Sequence, residues 1–394
     1  MAGRPDGVSG LSWTRRGPPE GGHHGAEASD RLLVVTTELF SWGGLQRLGR
    51  ETVGALAGEC REPIDVWSFR DDKIPAEYSV PDRMNARLAA GSRLKLGSWA
   101  IERAMHRCDD TLVVLMHVQV APIAIPMLLG GARAALFLLG VEVWRPLTAA
   151  ERFVAERCER LIAISRHTAD RFTQANPRFK GRRIDVCPLG ITADVHLRAS
   201  LLDVPVANDV ALMVSRMSSE DTYKGHERVI RAWPLVKARA PHARLVLVGD
   251  GDDRRRLETI AAELGVADAV QFTGVVTDDE LAAWYRRCTF FVLPSDGEGF
   301  GLVFLEAMRA GKACISGPGA PAEIVEDGVT GFVVPSRDDE AFVGAVSRLF
   351  SDADLRDRFG RNGQARFRQT FTAQHFADRL RHLVRLPAAP EHAA

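Results

Sequence analysis

The chain has 394 residues, of which 46% are hydrophobic and 26% charged, a composition typical of a soluble globular protein. This length exceeds what a single hydrophobic core usually organises, so it predicts two domains. The 51 basic and 51 acidic residues cancel, so net charge gives no argument for nucleic acid, and no nucleic-acid partner is expected.

The composition of the chain ends and the pattern of cysteines indicate where in the cell the protein is expected. Residues 1–30 are rich in Gly, Pro, Arg and His and lack the apolar core of a signal peptide, which predicts a disordered tail. Residues 387–394 are expected to be frayed. The cysteines are scattered without a C-x-x-C pair, which indicates reduced, buried thiols of a cytoplasmic protein rather than disulfides or a zinc site. They are Cys60, Cys108, Cys158, Cys187, Cys288 and Cys314.

The first predicted strand, Arg31–Thr37, leads through a Gly43-Gly44 pair into an amphipathic helix that runs to about Glu59. Glycines before a helix open a backbone-lined N-terminus, where anions bind. A tight turn explains the pair equally well, and the spacing is not the G-x-G-x-x-G of dinucleotide-binding proteins.

A basic segment follows the next strand, Ile64–Phe69. Residues Arg83 to Arg107 have a helical pattern with cations interleaved among leucines, a tryptophan and a methionine. Two interpretations stay open: a solvated basic face over core leucines, or an interfacial segment resting on anionic lipid.

The most apolar region, Thr111 to Val143, is broken by His117, prolines and glycines, which favours strand, helix, strand over a transmembrane helix. Polar residues follow its strands and the next one: His117, Glu142 and Ser165. Ligands of doubly wound parallel sheets bind where strands end, although a lone histidine there is more often structural.

A second α/β alternation begins near Val210, and its most informative stretch is Thr289 to Gly317. A buried strand is followed by a Gly-rich loop and by a helix from Leu302, which together predict an anion site at a helix N-terminus. Two carboxylates, Glu298 and Glu306, bracket it. Carboxylates are poor phosphate ligands but good acceptors for sugar hydroxyls, so the stretch suggests a phosphate linked to sugars.

Arg216 and Lys224 lie eight residues apart on the loop after the first strand of this second half. Either alone is ordinary surface charge. Together with the helix N-terminus after Gly301, they are better interpreted as a clamp for a diphosphate leaving group.

These segments resemble the retaining nucleotide-sugar glycosyltransferases of family 4. The resemblance rests on Glu298, seven residues and Glu306 within EGFGLVFLEAMRAGKACI. The segments VSRMSSEDTYKGHERVIRAW, LVLVGDGDDRRRLE, VQFTGVV and AEIVEDGVTGFVVP also occur in the family's order. The resemblance is highly specific over the second half of the chain and looser over the first half. The fold that it implies is α/β of the GT-B class, with two Rossmann-like doubly wound parallel-sheet domains facing across a cleft.

The resemblance implies an acceptor domain at 31–198, a donor-binding domain at 199–371, and a last helix, 372–386, that packs back on the first domain. Arg216 and Lys224 would hold the diphosphate, Glu298 the transferred sugar and Glu306 the ribose. Backbone near Val275 would meet the base. Further donor contacts would come from Gly43, Gly44, Phe300, Gly301, Leu302 and Val303.

On the acceptor side, the resemblance implies His117, with Glu142 and Ser165 beside it. The residues expected to be catalytic are Arg216, Lys224, Glu298 and His117. No cofactor or metal is expected, because cationic side chains would stabilise the leaving group. One departure from the family is Arg309, where a small residue is usual, and another is the longer loop before Lys224.

The expected activity is transfer of a sugar from a nucleoside-diphosphate sugar to a glycan or lipid-linked acceptor in bacterial polysaccharide or glycolipid synthesis. A cytoplasmic location is expected, with peripheral contact to the inner membrane face through residues 83–107. A nucleotide-sugar epimerase and a non-catalytic sugar-nucleotide-binding protein remain as alternatives. The sequence leaves the base, the sugar, the acceptor and the oligomeric state open.

Overall fold

The structure, a computed structural model, describes residues 31–40, 43–57, 63–76, 78, 83–106, 108–193 and 209–384. These residues divide into two compact units. The first unit comprises the described residues up to 189 together with 374–384, and the second comprises 190–193 and 209–373. The predicted tails, 1–30 and 387–394, and the predicted boundary at 198/199 lie outside the described residues.

The first unit is built on a parallel sheet. Its described strands are β1 (Arg31–Thr36), β2 (Ile64–Ser68), β3 (Met84–Leu88), β4 (Thr111–Leu115), β5 (Arg133–Leu138), β6 (Arg160–Ala163) and β7 (Asp185–Val186). They are ordered β3-β2-β1-β4-β5-β6-β7. The central strands are continuous runs of Leu, Val and Ala because helices cover both faces of such a sheet. The strand order reverses between β1 and β4, which makes this point the crevice where ligands of doubly wound sheets bind.

Helices connect the strands of this sheet, and three of them begin with a side-chain cap, from Ser92, Thr148 and Ser165. They are α1 (Gly44–Leu56), α2 (Arg93–Ala104), α3 (Ile125–Leu129), α4 (Ala149–Arg157) and α5 (Arg166–Ala175). For example, α4 begins with a capping box in which Thr148 and Glu151 bond each other's backbone N–H groups. The predicted strand, helix, strand order of 111–143 is confirmed by β4, α3 and β5.

The prediction of a single helix from Arg83 to Arg107 is wrong in its first part. Residues Met84–Leu88 form β3, which pairs in parallel with β2. Ala90 and Gly91 then take positive φ angles of 51° and 77°, which ends the strand, and Ser92 caps α2 by accepting a hydrogen bond from the Lys95 N–H. Pairing with β2 therefore overrides the helical pattern. Arg107 lies outside the described residues.

The second unit repeats the plan with a second parallel sheet. Its described strands are β8 (Val210–Val214), β9 (Arg244–Val248), β10 (Val270–Gly274), β11 (Phe290–Leu293), β12 (Cys314–Ser316) and β13 (Gly331–Val333). Their order is β10-β9-β8-β11-β12-β13, so the switch point of this sheet lies between β8 and β11.

The helices that follow in the chain complete the two units. They are α6 (His226–Arg239), α7 (Arg254–Glu263), α8 (Asp278–Arg287), α9 (Leu302–Arg309), α10 (Pro321–Ile324), α11 (Asp339–Ser351), α12 (Ala353–Thr370) and α13 (Ala373–Val384). From residue 374 onward, α13 belongs to the first unit, where Arg381 donates to the Ala55 carbonyl over 2.9 Å. Residues 385 and 386 of the predicted last helix lie outside the described residues.

Two further sequence predictions bear on the fold. The five cysteines that the structure describes are buried and form no disulfide, as predicted, while Cys60 lies outside the described residues. Among the helices of the described ranges, none has the length and apolarity needed to cross a bilayer.

A pair of helical glycines tests the packing of α12. A Cβ on Gly360 would lie 2.1 Å from the Gly311 carbonyl oxygen, whereas a Cβ on Gly344 of α11 has no atom within 4 Å. Gly360→Ala should lower the unfolding free energy by roughly 1–3 kcal/mol through overpacking. Gly344→Ala should be neutral or stabilising by up to about 1 kcal/mol, since alanine favours helix. Urea unfolding measures both, and equal midpoints for the two variants would contradict the packing.

Candidate functional site

Two loops at the switch point of the second unit carry the residues singled out in the sequence. The loop after β8 holds Arg216 and Lys224, and the loop after β11 holds Glu298 and Gly301. Because β8 and β11 are neighbouring parallel strands, both loops leave the sheet at the same edge. The structure thus brings the predicted cations and the predicted glycine-rich loop to one place.

An ion pair joins the two loops. The Lys224 Nζ donates to Glu298 Oε1, and the side chains are only 18% and 13% exposed. Removing either partner would leave a largely buried charge uncompensated, which is costly. An ammonium group has three N–H donors, so the bond to Glu298 does not exhaust the donors of Lys224.

Arg216 has a different partner. Its Nη2 and Nε lie 2.6 and 3.1 Å from the Asp221 carboxylate, and the bond to Asp221 raises the pKa of Arg216. The arginine side chain is 70% exposed while that of Asp221 is 13% exposed. Asp221 therefore holds the guanidinium by hydrogen bonds, while most of the Arg216 side chain remains exposed to solvent.

Tyr223, which the sequence analysis did not single out, locks the two loops together. Its carbonyl accepts a 3.0 Å hydrogen bond from the Asp296 N–H. A Cβ on Gly297 would lie 2.7 Å from the Tyr223 ring, so only glycine allows this approach. The Lys224 Nζ lies 5.2 Å from the centre of the same ring. This packing fixes Lys224 and Glu298 relative to each other.

The N-terminus of α9 borders the ion pair. Gly301 precedes the helix with φ at 107°, no side chain caps it within the described residues, and its first turn has no acidic residue. The first N–H groups of such a helix have no intrahelical partner and favour an anion. Phe300 is buried and packs edge-on against Phe371, whereas Leu302 and Val303 are half-buried.

Glu306 lies on α9 and is held by a residue that the sequence analysis missed. The Tyr285 hydroxyl donates a 3.0 Å hydrogen bond to Glu306 Oε2. Tyr285 is 2% exposed, and burial raises its pKa well above the ordinary value. Elsewhere on this edge, Val275 follows β10 with its side chain 81% exposed.

The first unit places its predicted residues at its own switch point. Gly43 precedes α1 with φ at 148°, and among the residues that the structure describes no side chain caps this helix and no acid lies in its first turn. His117 lies two residues after the end of β4 and is 7% exposed. Gly43, Gly44 and His117 thus follow the two strands between which the order reverses.

The tautomer of His117 follows from one hydrogen bond. Its Nδ1 accepts from the Gln119 N–H over 3.1 Å, so in the neutral ring Nε2 carries the proton. Burial lowers the His117 pKa to about 4, and the positive charges of Arg70 and Arg145 act in the same direction. At neutral pH the His117 ring is therefore neutral, with its proton on Nε2.

Glu142 and Ser165 serve local structure. The Glu142 carboxylate accepts from the N–H groups of Leu139 and Gly140, and burial raises its pKa. Ser165 is fully buried and caps α5 by accepting from the Thr168 N–H. The hydroxyl of Ser165 thus has a structural role as a helix cap, and its acceptor-side role stays a prediction.

Comparison with known proteins identifies the family. Residues 203–366 match the family described as "Glycosyl transferases group 1". A D-inositol 3-phosphate glycosyltransferase from Streptomyces bingchenggensis is 36% identical over 410 aligned positions, which cover 91% of this chain and 85% of that protein. The chain belongs to the group 1 glycosyltransferases.

Other relatives extend this result over nearly the whole glycosyltransferase. A GDP-mannose-dependent alpha-(1-6)-phosphatidylinositol monomannoside mannosyltransferase from Mycobacterium tuberculosis is 28% identical, covering 89% of this chain and 98% of that one. The solved structure of a sucrose-phosphate synthase from Thermosynechococcus elongatus has a TM-score of 0.72 at 21% identity over 90% of this chain and 98% of its own. HepE from Anabaena with UDP and glucose has a TM-score of 0.71 at 20% identity, covering 89% and 98%. These likenesses confirm the GT-B fold class.

Two further observations concern the described residues of this glycosyltransferase. Arg309, where the resemblance led us to expect a small residue, donates from Nη1 to the Thr192 carbonyl over 2.9 Å. No three His, Cys, Asp or Glu side chains in the described ranges gather as a group that would hold a metal ion.

The lowered pKa of His117 predicts how the unfolding free energy of the enzyme changes at acidic pH. The unfolded histidine binds a proton below about pH 6.5, whereas the folded one does so only below about 4. Between these values the unfolded state binds more protons, so the unfolding free energy falls as the pH falls. In His117→Asn, the asparagine oxygen keeps an acceptor for the Gln119 N–H, and the slope of unfolding free energy against pH should be shallower by up to about one proton.

Urea unfolding between pH 7 and pH 4.5 measures this slope. His242→Asn, at an exposed position, is the control. A His117→Asn slope equal to that of the wild-type enzyme would contradict a histidine that is buried in its neutral form.

Proposed function

We propose that this glycosyltransferase moves a sugar from a nucleoside-diphosphate sugar to an acceptor hydroxyl with retention of configuration, as a family 4 enzyme. The observation that carries the proposal is the Lys224–Glu298 pair beside the uncapped N-terminus of α9. It combines a cation, the first backbone N–H groups of a helix and a carboxylate at a sheet switch point, which are the groups that a phosphate joined to a sugar requires.

The donor would bind along the edge of the second sheet. Its diphosphate would lie on the N–H groups of Leu302 and Val303, with Lys224 and Arg216 as cationic partners. Glu298, fixed by Lys224, would accept from hydroxyls of the transferred sugar, and Glu306 from the ribose. Backbone at Val275 would face the base.

The chemistry proposed is a front-face displacement. The bond between the anomeric carbon and the diphosphate oxygen breaks, and the acceptor oxygen bonds the same carbon from the same face. The acceptor proton passes to the departing phosphate oxygen. Negative charge develops on the leaving group, where Lys224, Arg216 and the α9 N-terminus stabilise it without a metal. The neutral His117 would donate from Nε2 to the reacting sugar or acceptor.

A double displacement has less support from the arrangement of Glu298. This carboxylate accepts from Lys224, which is a role suited to orienting hydroxyl groups rather than attacking carbon. Retention is therefore assigned to the front-face route.

The acceptor proposed is a glycan or a lipid-linked saccharide of bacterial glycolipid or polysaccharide synthesis. The names of two relatives support this class, since one acts on a phosphatidylinositol monomannoside and the other on D-inositol 3-phosphate. A cytoplasmic enzyme with a peripheral contact to anionic membrane belongs to the same proposal.

Substitution of the two cations tests the leaving-group role. Lys224→Ala and Arg216→Ala should each lower kcat by about 10²-fold or more, as loss of a transition-state charge partner does. Lys237→Ala, which removes a cation of α6 that pairs with Asp268, should keep wild-type turnover. Near-wild-type kcat in both site variants would refute the clamp.

The donor and the stereochemistry are tested together. UDP-, GDP- and ADP-sugars are first screened for a rise in Tm, because a ligand of the folded state stabilises it. Turnover of the α-linked donor that gives this rise should produce an α-linked product, read from the anomeric proton by NMR. A β-linked product would refute retention, and a donor consumed without any acceptor would favour an epimerase.

A further inference from the structure

The outward face of α2 carries large apolar side chains that the fold leaves in solvent. Leu94, Ile101 and Met105 are 87%, 57% and 81% exposed. Their spacing of seven and then four residues places them within about 20° of one line along the helix, at 100° per residue. The opposite side of α2 packs into the core through Leu96 and Ala100. The helix therefore has two apolar faces, only one of which is covered by its own unit.

Leu129, at the end of α3, extends this face. It is 71% exposed. The ends of α2 and α3 lie together, since a Cβ on Gly130 would be 3.4 Å from the Ala104 carbonyl oxygen. We call Leu94, Ile101, Met105 and Leu129 the α2–α3 apolar face. Single exposed apolar residues are ordinary, but a group on adjacent helices indicates an interaction surface.

The exposed charges next to the α2 part of this face are positive, whereas Asp109 lies beside the end of α3, with its Cβ 3.9 Å from a Cβ placed on Gly131. Residues 83–106 contain five cations, Arg83, Arg87, Arg93, Lys95 and Arg103, and one acid, Glu102, a net charge of +4. The single acid is paired with Arg87 at 3.0 Å. Arg93 and Lys95 are exposed and adjoin Leu94 in sequence. Charge complementarity thus selects an anionic partner.

We propose that the α2–α3 apolar face docks on an anionic lipid bilayer. The four apolar side chains would enter the boundary between headgroups and acyl chains, and Arg93 and Lys95 would contact lipid phosphates. This inference deepens the proposed function, because it delivers the enzyme to the surface where a lipid-linked acceptor resides. The sequence predicted that a basic helix over 83–107 contacts the membrane. The docking element proposed here is the shorter helix α2, whose apolar side chains contribute to membrane binding as much as its cations do.

Vesicle sedimentation tests the docking. Wild-type protein should sediment at low salt with vesicles of phosphatidylcholine and phosphatidylglycerol, should sediment less with phosphatidylcholine alone, and should be released as salt screens the charges. Leu94→Glu combined with Met105→Glu should lower the partition coefficient at least about tenfold, since two apolar side chains no longer enter the lipid. The matched control is Leu235→Glu, at a 59% exposed leucine of α6 in the other unit, which should sediment like the wild type.

The outcomes separate this inference from the proposed function. Wild-type protein that stays in solution with anionic vesicles at low salt overturns the docking, as does a double variant that sediments like the wild type. Both proteins should show the same rise in Tm with the nucleotide sugar. If vesicles bind and no nucleotide sugar gives a rise, the docking stands and the proposed function fails.

A second inference rests on a contact of Tyr285 that is independent of the α2–α3 apolar face. Its buried hydroxyl donates to Glu306 Oε2, and its ring packs at 5.8 Å against Phe291 of β11. Because the ring is anchored in the core, this hydrogen bond restricts the orientation of the Glu306 carboxylate. We infer that Tyr285 is a positioning residue, which aims Glu306 at the ribose hydroxyls under the proposed function.

Affinities for nucleoside diphosphates and their 2′- and 3′-deoxy analogues test the role of Tyr285. Wild-type enzyme should bind at least one deoxy analogue more weakly than the parent nucleotide. Tyr285→Phe should lower the ratio of these two Kd values about threefold or more, a change that corresponds to the net free energy of one hydrogen bond. Glu306→Gln serves as the reference for disturbed ribose binding. A Tyr285→Phe enzyme that keeps full discrimination overturns the inference, whatever its Tm. A wild-type enzyme without discrimination refutes instead the ribose role of Glu306.

Discussion

The ion pair between Lys224 and Glu298 is the interaction on which the site depends. Neither group is well solvated, so each needs the other while no ligand is bound. The pair also spans the switch point, because its members come from the loops after β8 and β11. Tyr223 and the glycines of both loops hold the backbones at the distance that the pair requires. A site built in this way is organised without a ligand, which limits the ordering that binding would have to impose.

The same topological rule positions residues in both units. In each sheet the strand order reverses once, and a glycine that precedes a helix follows a strand beside that point. The second unit adds cations and carboxylates to this frame, whereas the first adds a neutral histidine. The proposed function assigns the charged donor to the second unit because of this difference. Fold alone does not assign these functions, which rest on the side chains.

Much of the second unit could be predicted from sequence because its signals are local. The strand Phe290–Leu293, the glycine loop and the helix from Leu302 follow from an apolar run, positive-φ glycines and helical periodicity. Tyr285 could not be found in this way, since its hydroxyl reaches Glu306 only after α8 packs on the sheet. Similarly, the strand Met84–Leu88 depends on pairing with β2, a partner some twenty positions earlier that local pattern does not reveal. Ser165 shows a further ambiguity, because a polar residue after a strand serves as a ligand or as a helix cap.

Isothermal titration of nucleoside diphosphate and monophosphate tests the central claim most directly, using the base that stabilises the folded enzyme. If Lys224 and the α9 N-terminus form the phosphate site, wild-type enzyme will bind the diphosphate at least about tenfold more tightly than the monophosphate, an energy typical of a charge-assisted hydrogen bond. Lys224→Ala will lose most of that difference, and Lys237→Ala will retain it. A Lys224→Ala enzyme with the wild-type ratio of Kd values would contradict the account.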